Sequence, residues 1–246
     1  SQNPVFISDS IFIANQSAGS FALGGAIYIS SYEDIYKGAK GVATNLIRNS
    51  QFDNNSSTYS AGAISITGSE YNYKSNQQIL SLEIEDCSFE SNSSETGGAI
   101  GTQYLEGYSF KIKGSTFNQN MANEGGAFSS DYSYDSGFEI DSCLFSDNQS
   151  FKGGAIYIED QYNSNTDKPI AVKNSLFNAN IASFGGGIYI DDCAGTVDII
   201  NNGLYGGSAS YGGAIYQSDS IIDIAENRFG TNQAYQGGGI FCFESI

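Results

Sequence analysis

The chain has 246 residues, 40% of them hydrophobic, which is enough for a sizeable core and sets disorder aside. Its net charge of −17 (27 acidic against 10 basic residues) repels phosphate backbones and anionic lipid, so nucleic acid is excluded as a natural partner. The absence of His removes imidazole bases, Ser-His pairs and His metal sites.

In chain order, the first segment alternates Val5 and Ile7, then reaches Phe12, Asn15 and, after a short insertion, Gly24, Ile27 and Tyr28. The same order then recurs. The aromatic anchor returns as Phe52, Phe89, Phe117, Phe145, Phe177, Leu204 and Phe229. Three residues later stand Asn55, Asn92, Asn120, Asn148, Asn180, Gly207 and Asn232, so the seventh copy loses both anchors together. A Gly pair follows at Gly97, Gly125, Gly153, Gly185, Gly212 and Gly237, with Ala61-Gly62 one residue late in the second copy.

Ahead of each aromatic lies a β-branched position: Ile7, Ile47, Ile84, Ile112, Ile140, Val172, Ile199 and Ile224. Two residues before it, Val5, Leu82, Phe110, Phe138, Ile170, Val197 and Ile222 keep the period of two that a half-buried strand requires, and Asn45 breaks it. Behind the glycines, Ile64, Ile100, Phe128, Ile156, Ile188, Ile215 and Ile240 mark a further inward column. Spacing from aromatic to glycines is nearly constant, whereas the return to the next aromatic varies, so insertions such as Ser31 to Lys40 and Tyr71 to Gln78 leave from one edge. That is the behaviour of a solenoid. The sequence therefore predicts an all-β chain, a right-handed single-stranded parallel β-helix of about eight coils, forming a single domain over residues 1–246 that belongs to a longer or polymerising chain.

Stacking such coils at roughly 4.8 Å builds ladders of Phe, Ile and Asn. Cys87 and Cys143 share one register two coils apart, about 9.5 Å and beyond the roughly 7 Å reach of a disulfide, so no internal bridge is expected. Cys242 is expected to face inward and Cys193 to follow the end of its strand. Of the sequons at Asn15, Asn54, Asn55, Asn92 and Asn148, four are ladder positions whose burial would bar a sugar; Asn54 alone is off-register and is the candidate glycosylation site.

Two surface features carry the candidate sites. The residue after the inward Ile gives Tyr157, Tyr189, Tyr216 and Phe241, an outward aromatic stripe suited to a sugar, a neighbouring chain or a partner protein, or else covered by loops and serving the sheet alone. Three residues beyond stand Asp160, Asp192, Asp219 and Glu244, one carboxylate per coil. Like charges stacked this way are relieved by splaying into solvent, by a cationic partner surface or by Ca²⁺, although no EF-hand or nonapeptide Ca²⁺ repeat is present. No cofactor other than such an ion is implied.

The combination F-x-x-N and G-G-A-[ILV], as in Phe89, Asn92 and Gly97-Gly98-Ala99-Ile100 and again in Phe145, Asn148 and Gly153-Gly154-Ala155-Ile156, resembles the repeat of the chlamydial polymorphic outer membrane proteins. The resemblance runs along nearly the whole chain. It implies the passenger of an autotransporter acting as a surface adhesin, and similar repeats occur in cell-surface proteins of some single-celled eukaryotes. No C-terminal membrane barrel follows here, so export by that route is not expected.

No apolar run approaches the roughly 20 residues of a membrane span, and Ser1 to Phe6 lack a signal peptide, which suits a processed secreted protein or a piece of a longer one. Because the repeat runs in register into both ends, unpaired strand edges are expected to recruit further strands. The functional expectation is an extracellular or cell-surface structural, adhesive module, self-associating through its open ends and binding surface glycans or proteins. Catalysis is not expected. The competing reading is a polysaccharide-processing glycoside hydrolase built on the pair Asp191-Asp192, which lacks the basic residues that usually accompany such chemistry.

Overall fold

A computed structural model describes residues 4–30, 43–68, 80–162 and 169–244; the insertions Ser31 to Lys40 and Tyr71 to Gln78 lie outside them. Every strand pairing is parallel, and three long sheets wrap one interior. The first sheet runs from Phe6–Ser8 to Ile221–Ala225, the second from Ile11–Ile13 to Arg228–Gly230, and the third from Ile27–Ser30 to Ile240–Phe243. They hold eight, eight and nine strands; the ninth is Ser133–Tyr134, a side branch of Ile156–Tyr162. No helix occurs among the described residues.

The registers read from the sequence are those of the sheets. Ile47 pairs Ile84, Ile112 pairs Ile140, and Val172 pairs Ile199 in the first sheet. Phe52, Phe89, Phe117, Phe145 and Phe177 pair in turn in the second, with ring centroids 4.8 Å apart and nearly parallel planes. Such ladders follow from repetition: a coil that buries Phe at one position buries it against the same ring one strand spacing away.

The expectation of about eight equivalent coils needs correction. About six turns are enclosed, from the one through Ile47 to the one through Ile199, and the buried core is theirs. The flanking rungs, through Ile7 and Ile224, have a neighbour on one side only and are partly exposed. Large apolar groups stand out on them, among them Phe6, Ile11 and Ile13 at one end and Ile221 and Phe243 at the other.

At the first turn the Asn side chains form a closed hydrogen-bonded column. Asn120 Oδ1 accepts from the backbone N–H and from Nδ2 of Asn92, both at 3.0 Å, while its own Nδ2 donates to Phe89 O at 3.1 Å and Asn148 Oδ1 at 3.0 Å. Each amide thereby satisfies two donors and two acceptors in a site that excludes water. A second column uses the residue two before the aromatic: Ser115 Oγ accepts from Cys87 N–H at 3.1 Å and Ser175 Oγ from Cys143 N–H at 3.0 Å.

The Gly pair has two distinct jobs. Gly153 sits at φ +64°, where a Cβ would meet Ile156 O at 2.1 Å. Its neighbour Gly154 has ordinary φ, but a Cβ there would meet Gly186 O of the next coil at 2.1 Å.

Cys87 and Cys143 lie in one register with Ser115 between them, and both are buried free thiols. Two other cysteine placements differ from expectation. Cys193 does not follow its strand but ends Ile188–Cys193 as a buried residue, paired with Gln161. Cys242 occupies the inward column after Gln217, yet it is exposed because its strand is the last of the sheet. Asn15, assigned to the buried ladder, is exposed for the same reason at the opposite end, although its Nδ2 still donates to Asn55 Oδ1 at 2.8 Å.

Candidate functional site

The third sheet carries the candidate residues on its outer face. Tyr157, Tyr189, Tyr216 and Phe241 occupy one register and stack ring on ring, with centroids 5.3, 5.0 and 5.5 Å apart. The stripe is not uniformly open, and this corrects the expectation of four outward aromatics. Tyr157 is 1% and Tyr189 4% exposed; Tyr216 and Phe241 are half-buried.

The cover comes from the residue immediately before each Gly pair, a column the sequence reading passed over. Its members Glu124, Lys152, Phe184 and Tyr211 bridge in register from coil to coil. The left-handed Gly folds the chain back onto the sheet, and the side chains of Lys152, Phe184 and Tyr211 lie over the aromatic rungs. Lys152 Nζ stands 4.9 Å from the Tyr189 ring centroid and 5.5 Å from that of Tyr157. Phe184 meets Tyr216 edge-on at 5.4 Å, and Tyr211 meets Phe241 edge-on at 5.3 Å. These arrangements suit cation–π and T-shaped contacts. The spacing signal was present, since the residue before the glycines is as regularly placed as the one after Ile.

The phenols are tied down by carboxylates two residues on. Tyr157 Oη donates to Glu159 Oε2, and Tyr189 Oη donates to Asp191 Oδ2 at 2.8 Å. Burial first, and then these carboxylates, push both phenols well above the usual tyrosine range. Asp191, one half of the candidate catalytic pair, is thus engaged by its own strand. Asp192 lies at φ +45° beside Asp160; desolvation, and then the Asp160 charge, raise its carboxyl.

Of the carboxylates proposed as cation ligands, Asp160, Asp192 and Asp219 share a left-handed corner conformation, with φ of 52°, 45° and 42°, and Glu244 is exposed beyond the last strand. One of the four enters a group close enough to share an ion. Asp160 converges with Asp131 and Glu159, their ligand oxygens all within 4.8 Å of one another. Asp131 and Glu159 lie one residue before the left-handed corners at Tyr132 and Asp160, a register that the one-carboxylate-per-coil pattern does not include.

Asn54, the candidate glycosylation site, is exposed at φ +54°, whereas Asn55, Asn92 and Asn148 are fully buried in the ladder. Burial holds three of the thiols protonated at ordinary pH, raising Cys87 to about 11 and Cys143 and Cys193 to about 12. No helix among the described residues is long and apolar enough to cross a membrane.

No curated protein and no solved structure matches the chain. Residues 142–159, which hold Phe145, Asn148, the Gly153-Gly154 pair and the strand through Tyr157 to Glu159, match the family model described as the Chlamydia polymorphic membrane protein repeat, so this coil is similar to a repeat of that kind.

Proposed function

We propose that this chain is a cell-surface or extracellular β-helix module with a structural and adhesive role, associating end to end through its terminal rungs. The observation that carries the reading is the coil at 142–159: a membrane-protein repeat whose sequence anchors coincide with the Phe and Asn columns running through the stack. Almost every motif residue is occupied in packing coils together, which leaves the faces and the ends to meet partners.

Inward-facing apolar side chains on the terminal rungs support the end-to-end contact, since Ile7, Phe12 and Ile27 at one end and Ile222, Ile224 and Ile240 at the other are only partly buried and a further parallel strand, of this or another chain, would cover them. Adhesion through the aromatic stripe is confined to its open part, Tyr216 and Phe241. Antibody labelling of intact cells of the source organism tests the location; signal only after permeabilisation would refute it. Negative-stain images over a range of concentrations test association, with isolated rods about 35 Å long at every concentration as the refuting result. Glycan and cell binding that survives Tyr216→Ala with Phe241→Ala would remove the stripe as the adhesive surface.

A further inference from the structure

In the middle of the first sheet charged columns alternate in sign. Arg48 pairs Glu85, Glu85 pairs Lys113, Lys113 pairs Asp141 and Asp141 pairs Lys173. Beside it Glu83, Lys111 and Glu139 alternate in the same way, and Lys173 Nζ also reaches Glu139 at 2.9 Å. Opposite charges directly across a strand pair are the arrangement that stacking favours. Like charges face each other at Asp53 and Glu90, at Asp198 and Asp223, and at Glu159 and Asp191. At the end of Phe128–Asp131 and within Ile156–Tyr162 the crowding goes further, because Asp131, Glu159 and Asp160 bring three carboxylates together.

Asp131 makes the cluster more than a crowded surface. It is 8% exposed, and its Oδ1 is buried without a hydrogen-bond partner. A buried carboxylate oxygen left unsatisfied beside two further carboxylates is an arrangement folding does not favour unless something cationic completes it. Burial first, and then Glu159, Asp160 and Glu124, raise its pKa to about 8. One ammonium already reaches the edge of the cluster: Lys152 Nζ lies 3.3 Å from Glu159 Oε1 and over the rings of Tyr157 and Tyr189, and Tyr157 Oη donates to Glu159 Oε2, so the oxygen left without a partner is Oδ1 of Asp131.

We propose that Asp131, Glu159 and Asp160 bind a Ca²⁺ ion that bridges two adjacent coils at the edge of the third sheet. The donors are all carboxylate oxygens, which selects a hard cation over zinc or copper. Ligands at about 2.3–2.6 Å from Ca²⁺ lie at most about 4.6–5.2 Å apart, so oxygens within 4.8 Å of one another can share one Ca²⁺, and a site with one buried and two half-exposed carboxylates suits its flexible coordination better than the near-ideal octahedron that Mg²⁺ demands. Glu159 and Asp160 are half-exposed, giving the ion an approach from solvent and room for water ligands, while Asp131 closes the inner side. Tyr162 Oη donates to Asp160 Oδ1 at 3.0 Å and orients that carboxylate. The site joins the coil of Phe128 to the coil of Ile156, and it stands whether or not the surface reading holds.

The experiment uses the full chain stripped with chelator. Added Ca²⁺ should bind with one-to-one stoichiometry by calorimetry and raise the melting midpoint by about 5–10 °C at a hundredfold excess over Kd. Tb³⁺ in its place should show luminescence sensitised by the neighbouring tyrosines. Asp131→Asn, which keeps the shape and removes the buried charge, should melt no lower than the stripped wild type and lose the Ca²⁺ response at least about tenfold in affinity; Glu244→Gln should retain it. No heat and no midpoint shift at about 10 mM Ca²⁺, above the weakest extracellular sites, would overturn the proposal. So would undiminished binding by Asp131→Asn, or a stripped protein that responds to acid alone, which would show that a proton fills the place assigned to the ion.

Discussion

Replacing Asn120 by Ala tests the claim that the Asn column holds the coils together. The change removes four side-chain hydrogen bonds at 3.0–3.1 Å and leaves the backbone N–H of Asn92 and one N–H of its amide without their partner. Both lie in a fully buried residue, so water does not replace the loss. An orphaned buried donor costs about 1–3 kcal/mol, which for two gives about 2–6 kcal/mol before any contribution from the small cavity. In a chain of this size that corresponds to a fall in melting midpoint of about 4–24 °C. The internal control is Asn15→Ala at the exposed end of the same column, where one amide contact, at 2.8 Å to Asn55 Oδ1, is lost and the cost should stay near 1 kcal/mol. Urea midpoints measured side by side decide the matter. If Asn120→Ala came within about 1 kcal/mol of Asn15→Ala, the column would be a by-product of stacking and not a cause of it.

Further expectations concern the glycines, the seventh coil, the thiols and pH. Gly153→Ala forces a Cβ to 2.1 Å from Ile156 O at φ +64° and should prevent folding of that coil, whereas Gly239→Ala, with nothing within 4 Å, should leave the urea midpoint nearly unchanged. Gly207→Asn restores the repeat consensus yet should destabilise, because its Cβ would stand 2.2 Å from Gly213 O; a higher melting midpoint would refute this reading of the seventh turn. An aromatic disulfide reagent should titrate one thiol, Cys242, in the native protein and four in urea, since Cys87, Cys143 and Cys193 are buried. In cation-free buffer Asp131, with its folded pKa raised from 3.8 to about 8, binds a proton more tightly folded than unfolded. Stability should therefore fall as pH rises across about 4 to 8 and level off above, and Asp131→Asn should flatten that slope.

What could be read from the sequence is what repetition dictates. The registers of Phe52 through Phe177 and of Ile47 through Ile199 follow from period alone, because stacked coils must bury like against like. The seventh copy announced itself by losing Phe and Asn together, although the reason, the approach of Gly213 O to Gly207, belongs to the local backbone. The site was less legible because it depends on neighbours offset by one coil. Lys152 lies over Tyr189 as well as over the Tyr157 of its own coil, and Phe184 faces Tyr216 of the following coil; a repeat alignment sets equivalent residues together and hides such diagonal contacts. The charge alternation of Arg48, Glu85, Lys113, Asp141 and Lys173 is legible in the same columns, but it does not single out Asp131, because Asp53 with Glu90 and Asp198 with Asp223 also set like charges across a strand pair; what marks Asp131 is its burial.

The cover over the aromatic column changes what the third sheet offers a partner. Where Lys152 lies over Tyr157 and Tyr189, the rings contribute to stability through burial and stacking, and their hydroxyls are spent on Glu159 and Asp191. Two coils later the covering residues become Phe184 and Tyr211, which meet the rungs edge-on and leave Tyr216 and Phe241 half-buried. The same column therefore grades from scaffold to accessible surface within a few rungs, and the carboxylate cluster through Asp131 lies at the scaffold end. An ion there would stiffen the coils of Phe128 and Ile156, two or more rungs from the open rings, so cation binding and partner binding are separable by mutation on a single face.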